Sequence, residues 1–366
     1  MGVRKVGVEE ELLLVDPQTG RLAAVADRAM LAHERDGSES TLEQELFLQQ
    51  LETGTEPTAD LHDLAAELHR CRRVAGEAAA AAGAALVATA TPVLEDEDGD
   101  VTPKPRYQRL VDQFGRVGRQ AITCGMHVHV DVADEQEAIA VIDRIRPWLP
   151  VVLAISANSP YWFGADTDYG SWRSQVWQRW PSAGQVEPFG DPAGYHAALQ
   201  ELLATGVVLD RAALYLDARP AESFPTVELR VADVCTDVDD AVLVAALSRA
   251  LTQTAAAEWH AGQPLTPWRT ELLRAAHWKA ARYGISERLV HPLERTPAPA
   301  RDVIISLLEY VREALEEAGD VALVAESVER LLARGSGAAR QRAALEVQGD
   351  LRGVVDDLQR RTVPDG

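Results

Sequence analysis

The first strand-like stretch of the chain carries acidic residues at strand spacing in otherwise aliphatic surroundings. It runs over 6–15 with the sequence VGVEEELLLV. Because side chains alternate between the two faces of a strand, Glu9 and Glu11 share one face and Glu10 lies on the other. Two adjacent carboxylates repel each other and favour protonation unless a cation lies between them. The stretch therefore predicts a bound cation that is completed by ligands from elsewhere in the chain.

Later strand-like stretches show a similar spacing of polar residues. His127 and His129 alternate in GMHVHVDV, Glu228 and Arg230 alternate in TVELRVAD, and Glu45 lies in a mixed apolar and acidic stretch. Each pair alone is weak, because a His-x-His pair also occurs in zinc or structural sites and a Glu-x-Arg pair is commonly an ordinary cross-strand pair. Together they predict one sheet face with carboxylates, imidazoles and a guanidinium, which is typical of a cation-containing active site.

The donor set indicates which cation to expect. Carboxylates and imidazoles without thiolates favour Mg²⁺, or Mn²⁺, over structural zinc. Hard cations held by carboxylates near arginine usually serve phosphate chemistry. The chain has no G-x-x-x-x-G-K-[ST] loop, and Gly335-Ser336-Gly337 lacks the preceding strand and the third glycine of a dinucleotide fingerprint. A nucleotide would thus bind through metals and the sheet face. A zinc hydrolase that uses His127 and His129, and a non-catalytic protein of the same fold, are the alternatives.

Composition limits the class of protein. The 366 residues include 46% hydrophobic residues and carry a net charge of −21, which argues against nucleic acid and anionic membranes as partners. No apolar run reaches the roughly 18 residues of a membrane span, and no signal-peptide h-region follows the first residues. Three scattered cysteines form neither a disulfide framework nor a metal knuckle. These features predict a reduced, cytoplasmic location.

The order of elements predicts one compact α+β unit over 1–366, with 296–366 as a helical C-terminal extension packed on it. Strands are expected near 6–15, 42–54 (one or two strands), 86–90, 121–132 and 226–233. Helices are expected near 60–85, 134–146, 148–157, 192–206, 237–260, 301–333 and 338–361.

Two loops invite a functional interpretation. The stretch 158–181 is rich in Trp and Arg without a clear period, which suits either a substrate-covering segment or simple packing over the core. The acidic run 95–100 resembles part of a calcium loop, but Tyr107 stands where the bidentate glutamate belongs, so a solvated acidic loop is favoured.

Several of these motifs resemble a known family when read together. Gly7-Val8-Glu9-Glu10-Glu11-Leu12, Gly125-Met126-His127-Val128-His129, Ala157-Asn158-Ser159-Pro160 and Thr226-Val227-Glu228-Leu229-Arg230-Val231 look like the glutamate–cysteine ligase type 2 family, and most like its YbdK-like carboxylate–amine ligases. The resemblance covers about 3–290 and places the chain in the glutamine synthetase fold superfamily. It implies a curved antiparallel sheet that forms an open funnel, with helices outside.

The resemblance also implies an activity and its residues. ATP, with Mg²⁺, would phosphorylate a carboxylate such as that of glutamate, and an amine such as cysteine would displace phosphate from the acyl phosphate. A dimer or larger homo-oligomer is common in the family. Position by position, it implies that one metal is held by Glu11, Glu45 and Glu52 and a second by Glu9, His127 and Glu228, and that His129 lies beside the nucleotide. Arg230 would stabilise the phosphoryl group or bind the acceptor carboxylate. Arg173 would bind substrate carboxylate or phosphate, and Arg219 would bind phosphate. The choice of Glu45 over Glu43 follows family spacing alone.

Overall fold

The computed structural model of the protein describes residues 2–36, 41–94 and 99–363. Most of the acidic run at 95–100 lies outside these residues. The strands are β1 (Val6–Val15), β2 (Thr41–Gln44), β3 (Gln50–Gly54), β4 (Ala85–Val87), β5 (Gly125–Asp131), β6 (Tyr161–Trp162), β7 (Ala165–Asp166), β8 (Ala218–Pro220), β9 (Thr226–Asp233), β10 (Arg288–Val290) and β11 (Pro297–Pro299).

The helices fill most of the remaining described chain. They are α1 (Ala26–Asp36), α2 (Leu61–Ala81), α3 (Pro105–Phe114), α4 (Arg116–Arg119), α5 (Glu135–Ile145), α6 (Leu149–Ser156), α7 (Trp172–Trp177), α8 (Pro192–Ala204), α9 (Val238–His260), α10 (Thr270–Tyr283), α11 (Ala300–Tyr310), α12 (Arg312–Ala318), α13 (Val321–Arg334), α14 (Gly337–Gln348) and α15 (Leu351–Thr362). No helix in the described ranges is long and apolar enough to cross a membrane.

An open, antiparallel sheet organises the molecule. Its strands follow the order β2-β3-β1-β5-β9-β8, and β4 also pairs with β1. The face of the sheet that carries Val8, Val128 and Leu229 is apolar, because these side chains pack in one core with residues of α5, α6 and α9. The predicted α+β class, antiparallel sheet and outer helices are confirmed.

A β-bulge interrupts the pairing of β5 with β9 at His127, on the face of the sheet that carries Glu9. Met126 pairs with Ala232 and Val128 pairs with Leu229, so that Arg230 and Val231 together oppose the single residue His127. A bulge of this kind leaves backbone groups outside the regular ladder and re-aims a side chain. The sequence gives no signal for it.

Parts of the helical prediction needed correction. The expected helix at 301–333 is three helices and the one at 338–361 is two. The first break lies at Val311, and the other two follow Gly319 and Gly349, whose left-handed backbone angles (φ 78° and 85°) end α12 and α14. The stretch 158–181 was expected to be irregular, but it contains the β6–β7 hairpin and α7. Helix α7 is capped by Ser171, whose hydroxyl accepts from the backbone N–H of Ser174.

The C-terminal helices contact the segments that flank the sheet. Gln341 of α14 is buried and donates to the side-chain oxygen of Asn158 at 2.8 Å. Arg361 of α15 forms two hydrogen bonds with Asp237, which precedes α9. The division of the chain at 296 stays a prediction.

Glu10, on the apolar face of the sheet, is held by a buried ion pair. It is 0% exposed, and the 1% exposed Arg72 of α2 donates to its two carboxylate oxygens at 2.8 and 2.6 Å. The same guanidinium donates to the carbonyl oxygens of Cys235 and Thr236. Arg72 therefore joins β1, α2 and the segment after β9, and these contacts give Glu10 a structural role on the face away from Glu9 and Glu11.

Removing one partner of this pair leaves an uncompensated buried charge. We expect Arg72→Met to lower the free energy of unfolding by about 3–5 kcal/mol, and Glu10→Gln together with Arg72→Met to recover part of this loss. Urea denaturation followed by circular dichroism measures both. As a control, Arg269→Ala breaks an ion pair with Glu271 whose side chains are 78% and 68% exposed, and should cost less than about 1 kcal/mol. A change below about 1 kcal/mol in Arg72→Met would contradict the assignment.

Candidate active site

The polar face of the sheet forms the floor of a cavity of about 410 Å³. Cross-strand pairing arranges its side chains in rows: Glu11 lies opposite Glu52, which lies opposite Glu43, and Glu9 lies opposite His127. A further row joins His129, Glu228 and Arg219. These residues all line the cavity, together with Glu45 and Arg230. The cavity thus brings together the sequence-predicted residues, with the exception of Arg173.

Glu9 lies at the centre of this arrangement. Its Oε2 is 3.3 Å from His127 Nδ1 and 3.3 Å from His129 Nε2. The other ring nitrogen of His129 lies 3.1 Å from the hydroxyl of Thr226. Burial alone would raise the pKa of Glu9, but the hydrogen bonds and charges of the two imidazoles outweigh it and hold that pKa well below its usual range. Glu9 is therefore ionised at neutral pH.

Two groups of donor atoms are close enough to hold a metal ion. Glu9, Glu52 and His127 form one group, Glu9, His129 and Glu228 form the other, and the donor atoms within each lie within 4.8 Å of one another. Of the predicted ligands, Glu9, Glu52, His127 and Glu228 belong to these groups, whereas Glu11 and Glu45 line the same cavity outside both groups. Their roles as metal ligands stay predictions. Glu9 belongs to both groups, and His129, expected beside the nucleotide, joins Glu9 and Glu228.

The acids Glu11, Glu45 and Glu52 repel one another. Burial raises the pKa of Glu52 well above its usual value, and the charges of Glu45, Glu11 and Glu9 raise it further. Burial also raises the pKa of Glu11, against the lowering effect of His127 and of the Gly125 N–H, which donates to Glu11 Oε2 at 2.6 Å. Without a cation, this half of the site favours proton uptake.

Glu228 is instead surrounded by positive charge. Arg219 donates to its two carboxylate oxygens at 2.6 and 3.3 Å, and Arg230 Nη1 also donates to it. Burial opposes ionisation, but Arg230, Arg219 and His127 lower the pKa of Glu228 to about 2. The carboxylate therefore fixes the two guanidinium groups at the cavity floor.

The residues present fit a divalent metal. His127 Nε2 is buried and has no hydrogen-bond partner in the described part of the chain, although Glu11 Oε1 lies 3.8 Å away. A buried imidazole nitrogen without a partner, next to carboxylates that repel one another, matches the oxygen-rich donor set of Mg²⁺ and Mn²⁺. The three cysteines are buried and do not line the cavity, so thiolate ligands do not contribute.

Arg173 occupies a different place from the one that the resemblance implied. Its side chain is 1% exposed, and it is not among the residues that line the cavity. Its guanidinium donates to the backbone carbonyls of Arg230 and Val231 at 3.1 and 3.3 Å. It therefore contacts the sheet beside the cavity rather than the cavity itself.

Aromatic residues and helix α3, to which the sequence assigned no binding role, complete the lining of the cavity and form its wall. Trp177, Tyr215 and Trp180 pack in series, with ring centroids 4.9 and 5.1 Å apart. Helix α3 adds Arg106, Tyr107 and Leu110 to the wall. The aromatic content of 158–181 is a usable signal for the two tryptophans. For α3, the signal is the proline at its start followed by apolar residues at helical spacing.

The shared position of Glu9 predicts a difference between metal-site variants. We expect Glu9→Gln to weaken Mn²⁺ binding at both groups, whereas Glu52→Gln removes a ligand from one group and should lower the number of bound Mn²⁺ by one. Losses of about 10-fold or more in affinity are expected, as for changes that disturb metal ligands. Electron paramagnetic resonance titration of free Mn²⁺ gives both numbers. Glu222→Gln, at a lining residue outside both groups, is the matched control. Equal stoichiometry in all variants would refute the shared ligand.

A second pair of variants tests the choice between Glu45 and Glu43. Glu45 acts on both buried acids, raising the pKa of Glu52 and of Glu11 through its charge, whereas Glu43 is exposed. We expect Glu45→Gln to weaken Mn²⁺ affinity by about 10-fold and Glu43→Gln to change it by less than about threefold. Calorimetric titration measures both. A larger effect of Glu43→Gln would reverse the assignment.

Comparison with known proteins agrees with this geometry. The sequence profile of glutamate–cysteine ligase family 2 (GCS2) matches residues 5–358. A protein of Nocardioides sp. with the provisional name glutamate–cysteine ligase 2-1 is 49% identical, with 98% of this chain and 96% of the relative covered. A Streptomyces coelicolor protein provisionally named glutamate–cysteine ligase 2 is also 49% identical, with 98% and 99% covered.

Two solved structures share the fold at low sequence identity. The glutamate–cysteine ligase of Francisella tularensis, in complex with AMP, superposes with a TM-score of 0.68 at 13% identity, covering 99% of this chain and 89% of that one. The bifunctional glutathione synthetase of Pasteurella multocida gives 0.69 at 15% identity, covering 98% and 51%. With the profile match over nearly the whole sequence, these findings show that the chain belongs to glutamate–cysteine ligase family 2, a family of carbon–nitrogen ligases.

Proposed function

We propose that the protein is an ATP- and Mg²⁺-dependent carboxylate–amine ligase that acts on a glutamate-type carboxylate. A carboxylate oxygen of the substrate attacks the γ-phosphorus of ATP, the bond to the β–γ bridging oxygen breaks, and ADP leaves. The amine nitrogen then attacks the acyl carbon and loses one proton, and the bond from this carbon to the phosphate oxygen breaks, so that inorganic phosphate leaves with the proton as the amide forms. The substrates are small molecules, and the homo-oligomer suggested by the resemblance stays a prediction.

The observation that carries this proposal is the arrangement around Glu9 and Glu228. Two groups of metal donors share Glu9, and two arginines meet at Glu228 in the same cavity. Paired metal sites beside guanidinium groups suit the transfer of a phosphoryl group, where negative charge must be neutralised on attacking and leaving oxygens. Membership of the ligase family supports the same reaction class.

The chain's own residues have separate tasks in the first step. Glu9, Glu52 and His127 would hold one ion, and Glu9, His129 and Glu228 the other; Mg²⁺ would neutralise phosphate and carboxylate oxygens that otherwise repel. Arg219 and Arg230 would donate to phosphoryl oxygens, since guanidinium groups match this charge and geometry. Arg230 Nε is buried without a hydrogen-bond partner in the described chain, so it retains a donor for this purpose.

The aromatic wall serves the second step. An acyl phosphate is lost to hydrolysis unless water is kept away from it. Trp177 and Trp180 line the cavity beside Arg230, whose guanidinium carbon lies 5.7 Å from the Trp177 ring. These rings would exclude water from the acyl carbon while the amine approaches. This use supports the interpretation of 158–181 as a segment that covers substrate.

Nucleotide turnover tests the proposal directly. With Mg²⁺-ATP, we expect ADP and phosphate release that requires both L-glutamate, or a similar amino acid, and an amine from a panel that includes cysteine. Glu228→Gln should reduce this rate by about 100-fold or more, because it removes a metal donor and the charge that fixes two arginines. A coupled ADP assay and mass spectrometry of the amide product measure both.

A matched control and an alternative complete the experiment. Glu271→Gln makes the same change at an exposed site and should leave the rate unchanged. If no pair of carboxylate and amine gives ADP above background, the ligase assignment is wrong. Stoichiometric, tightly bound zinc in the purified protein, together with hydrolytic activity, would support the zinc hydrolase instead.

A further inference from the structure

Arg173 is a buried arginine next to the cavity. Its guanidinium contacts backbone groups and does not face the cavity. Arg173 belongs to α7, and its own backbone N–H donates to the hydroxyl of Ser159 at 3.0 Å. Its side chain is 1% exposed. An arginine that binds a substrate carboxylate or phosphate needs donors that face the cavity. Arg173 is not among the cavity-lining residues, so its charge acts through its neighbours.

The first of these neighbours is the β-bulge of β9. Arg173 Nη2 donates to the carbonyl of Arg230 at 3.1 Å and Nη1 donates to that of Val231 at 3.3 Å. These are the two residues that oppose His127 in place of one. The bulge removes backbone groups from the ladder, and the planar guanidinium supplies donors for both carbonyls. It thereby fixes the backbone from which the Arg230 side chain extends to Glu228.

The second neighbour is the residue that holds Glu11. Gly125 donates its N–H to Glu11 Oε2 at 2.6 Å. A Cβ atom on Gly125 would lie 2.3 Å from Arg173 Nη2, so the guanidinium fills the space that a side chain would otherwise take. Arg173 therefore packs directly on the peptide that orients Glu11, whose Oε1 lies 3.8 Å from Nε2 of the metal donor His127.

Two further contacts fix the guanidinium itself. Asp233 is completely buried, accepts from the hydroxyls of Ser159 and Ser171 at 2.7 and 2.8 Å, and lies 3.8 Å from Arg173 Nη1. One turn along α7, the Trp177 ring lies 5.3 Å from the guanidinium carbon of Arg173 and 5.7 Å from that of Arg230. Both arginines contact one ring, and that ring lines the cavity.

We propose that Arg173 is a positioning residue of the ligase site: it supports the bulge that aims Arg230, the peptide that orients Glu11, and the ring of Trp177, without contacting substrate. A residue of this kind affects metal affinity and turnover rather than substrate binding, because changes in outer-shell partners of a metal site cost about 10–100-fold in either quantity. The role rests on the proposed ligase function for its effect on turnover, but the effect on metal binding is independent of it.

The test separates positioning from substrate contact. In Arg173→Lys, an ammonium replaces the fork that serves two carbonyls. We expect kcat to fall about 10- to 100-fold and Mn²⁺ affinity to fall about 10-fold, while KM for glutamate and for ATP changes less than about threefold. Steady-state kinetics and Mn²⁺ titration of the metal-free protein measure these values. A substrate-contacting arginine would instead raise KM with kcat nearly unchanged.

A second variant reaches the same contact from the other side. Gly125→Ala keeps Arg173 and Asp233 but displaces the guanidinium, and it should reproduce the loss of kcat and of Mn²⁺ affinity. Arg146→Lys is the matched control: this arginine is 2% exposed and donates to the carbonyls of Asp143 and Val186, so it reports the general cost of the same change at a buried arginine. Neither its kcat nor its Mn²⁺ affinity should change more than about twofold.

The outcomes are distinguishable from failure of the ligase assignment. If the unaltered enzyme turns over no substrate pair, the ligase function is wrong, and Mn²⁺ affinity alone then decides the role of Arg173. Mn²⁺ affinity within twofold of the unaltered protein in both variants, or a rise in KM without loss of kcat, would overturn the positioning role. Loss of the fold in both variants, seen by circular dichroism, would overturn it too, since the role requires a folded protein with a displaced site.

Discussion

Like-charge repulsion on one face of a sheet is the constraint on which this structure depends. Glu9, Glu11, Glu45 and Glu52 line a single cavity, and burial raises the pKa of Glu11 and of Glu52. Such a face is stable only where positive charge compensates it. His127 and His129 contact Glu9 at 3.3 Å, and the need for positive charge matches a pair of hard cations. The same excess of negative charge would hold the cations that phosphoryl transfer requires.

The surrounding fold supports this face with buried ion pairs. On the apolar side, Arg72 neutralises Glu10 and ties β1 to α2. Asp233, the last residue of β9, is buried together with Arg173. It also accepts hydrogen bonds from Ser159 and from Ser171, the cap of α7. Each pair adds hydrogen bonds to backbone, which is how a buried charge avoids a large desolvation cost. These ion pairs stabilise the sheet, so that acidic side chains that repel one another stay close together on its polar face.

Much of the fold and most of the candidate ligands could be predicted from the sequence. Strands β1 and β9 were expected with their observed bounds, and the i, i+2 spacing placed Glu9 with Glu11 and Glu228 with Arg230. The breaks in the C-terminal helices were missed, since isolated glycines such as Gly349 are weak local signals. The donor groups of the structure differ from the predicted grouping, because Glu9 belongs to both and His129 joins the one that contains Glu228; which residues hold metal stays a prediction.

The sequence by itself determined which residue types share a sheet face, because the period of a strand follows from local backbone geometry. It also carried the motifs that identify the family. Only the tertiary structure decided which face residues lie opposite each other, because register depends on pairing between strands distant in sequence. The β9 bulge, and the place of Arg173 beneath it, arise from contacts among β5, α7 and β9. The local sequence pattern does not predict these contacts, since each segment fits its own strand or helix without them.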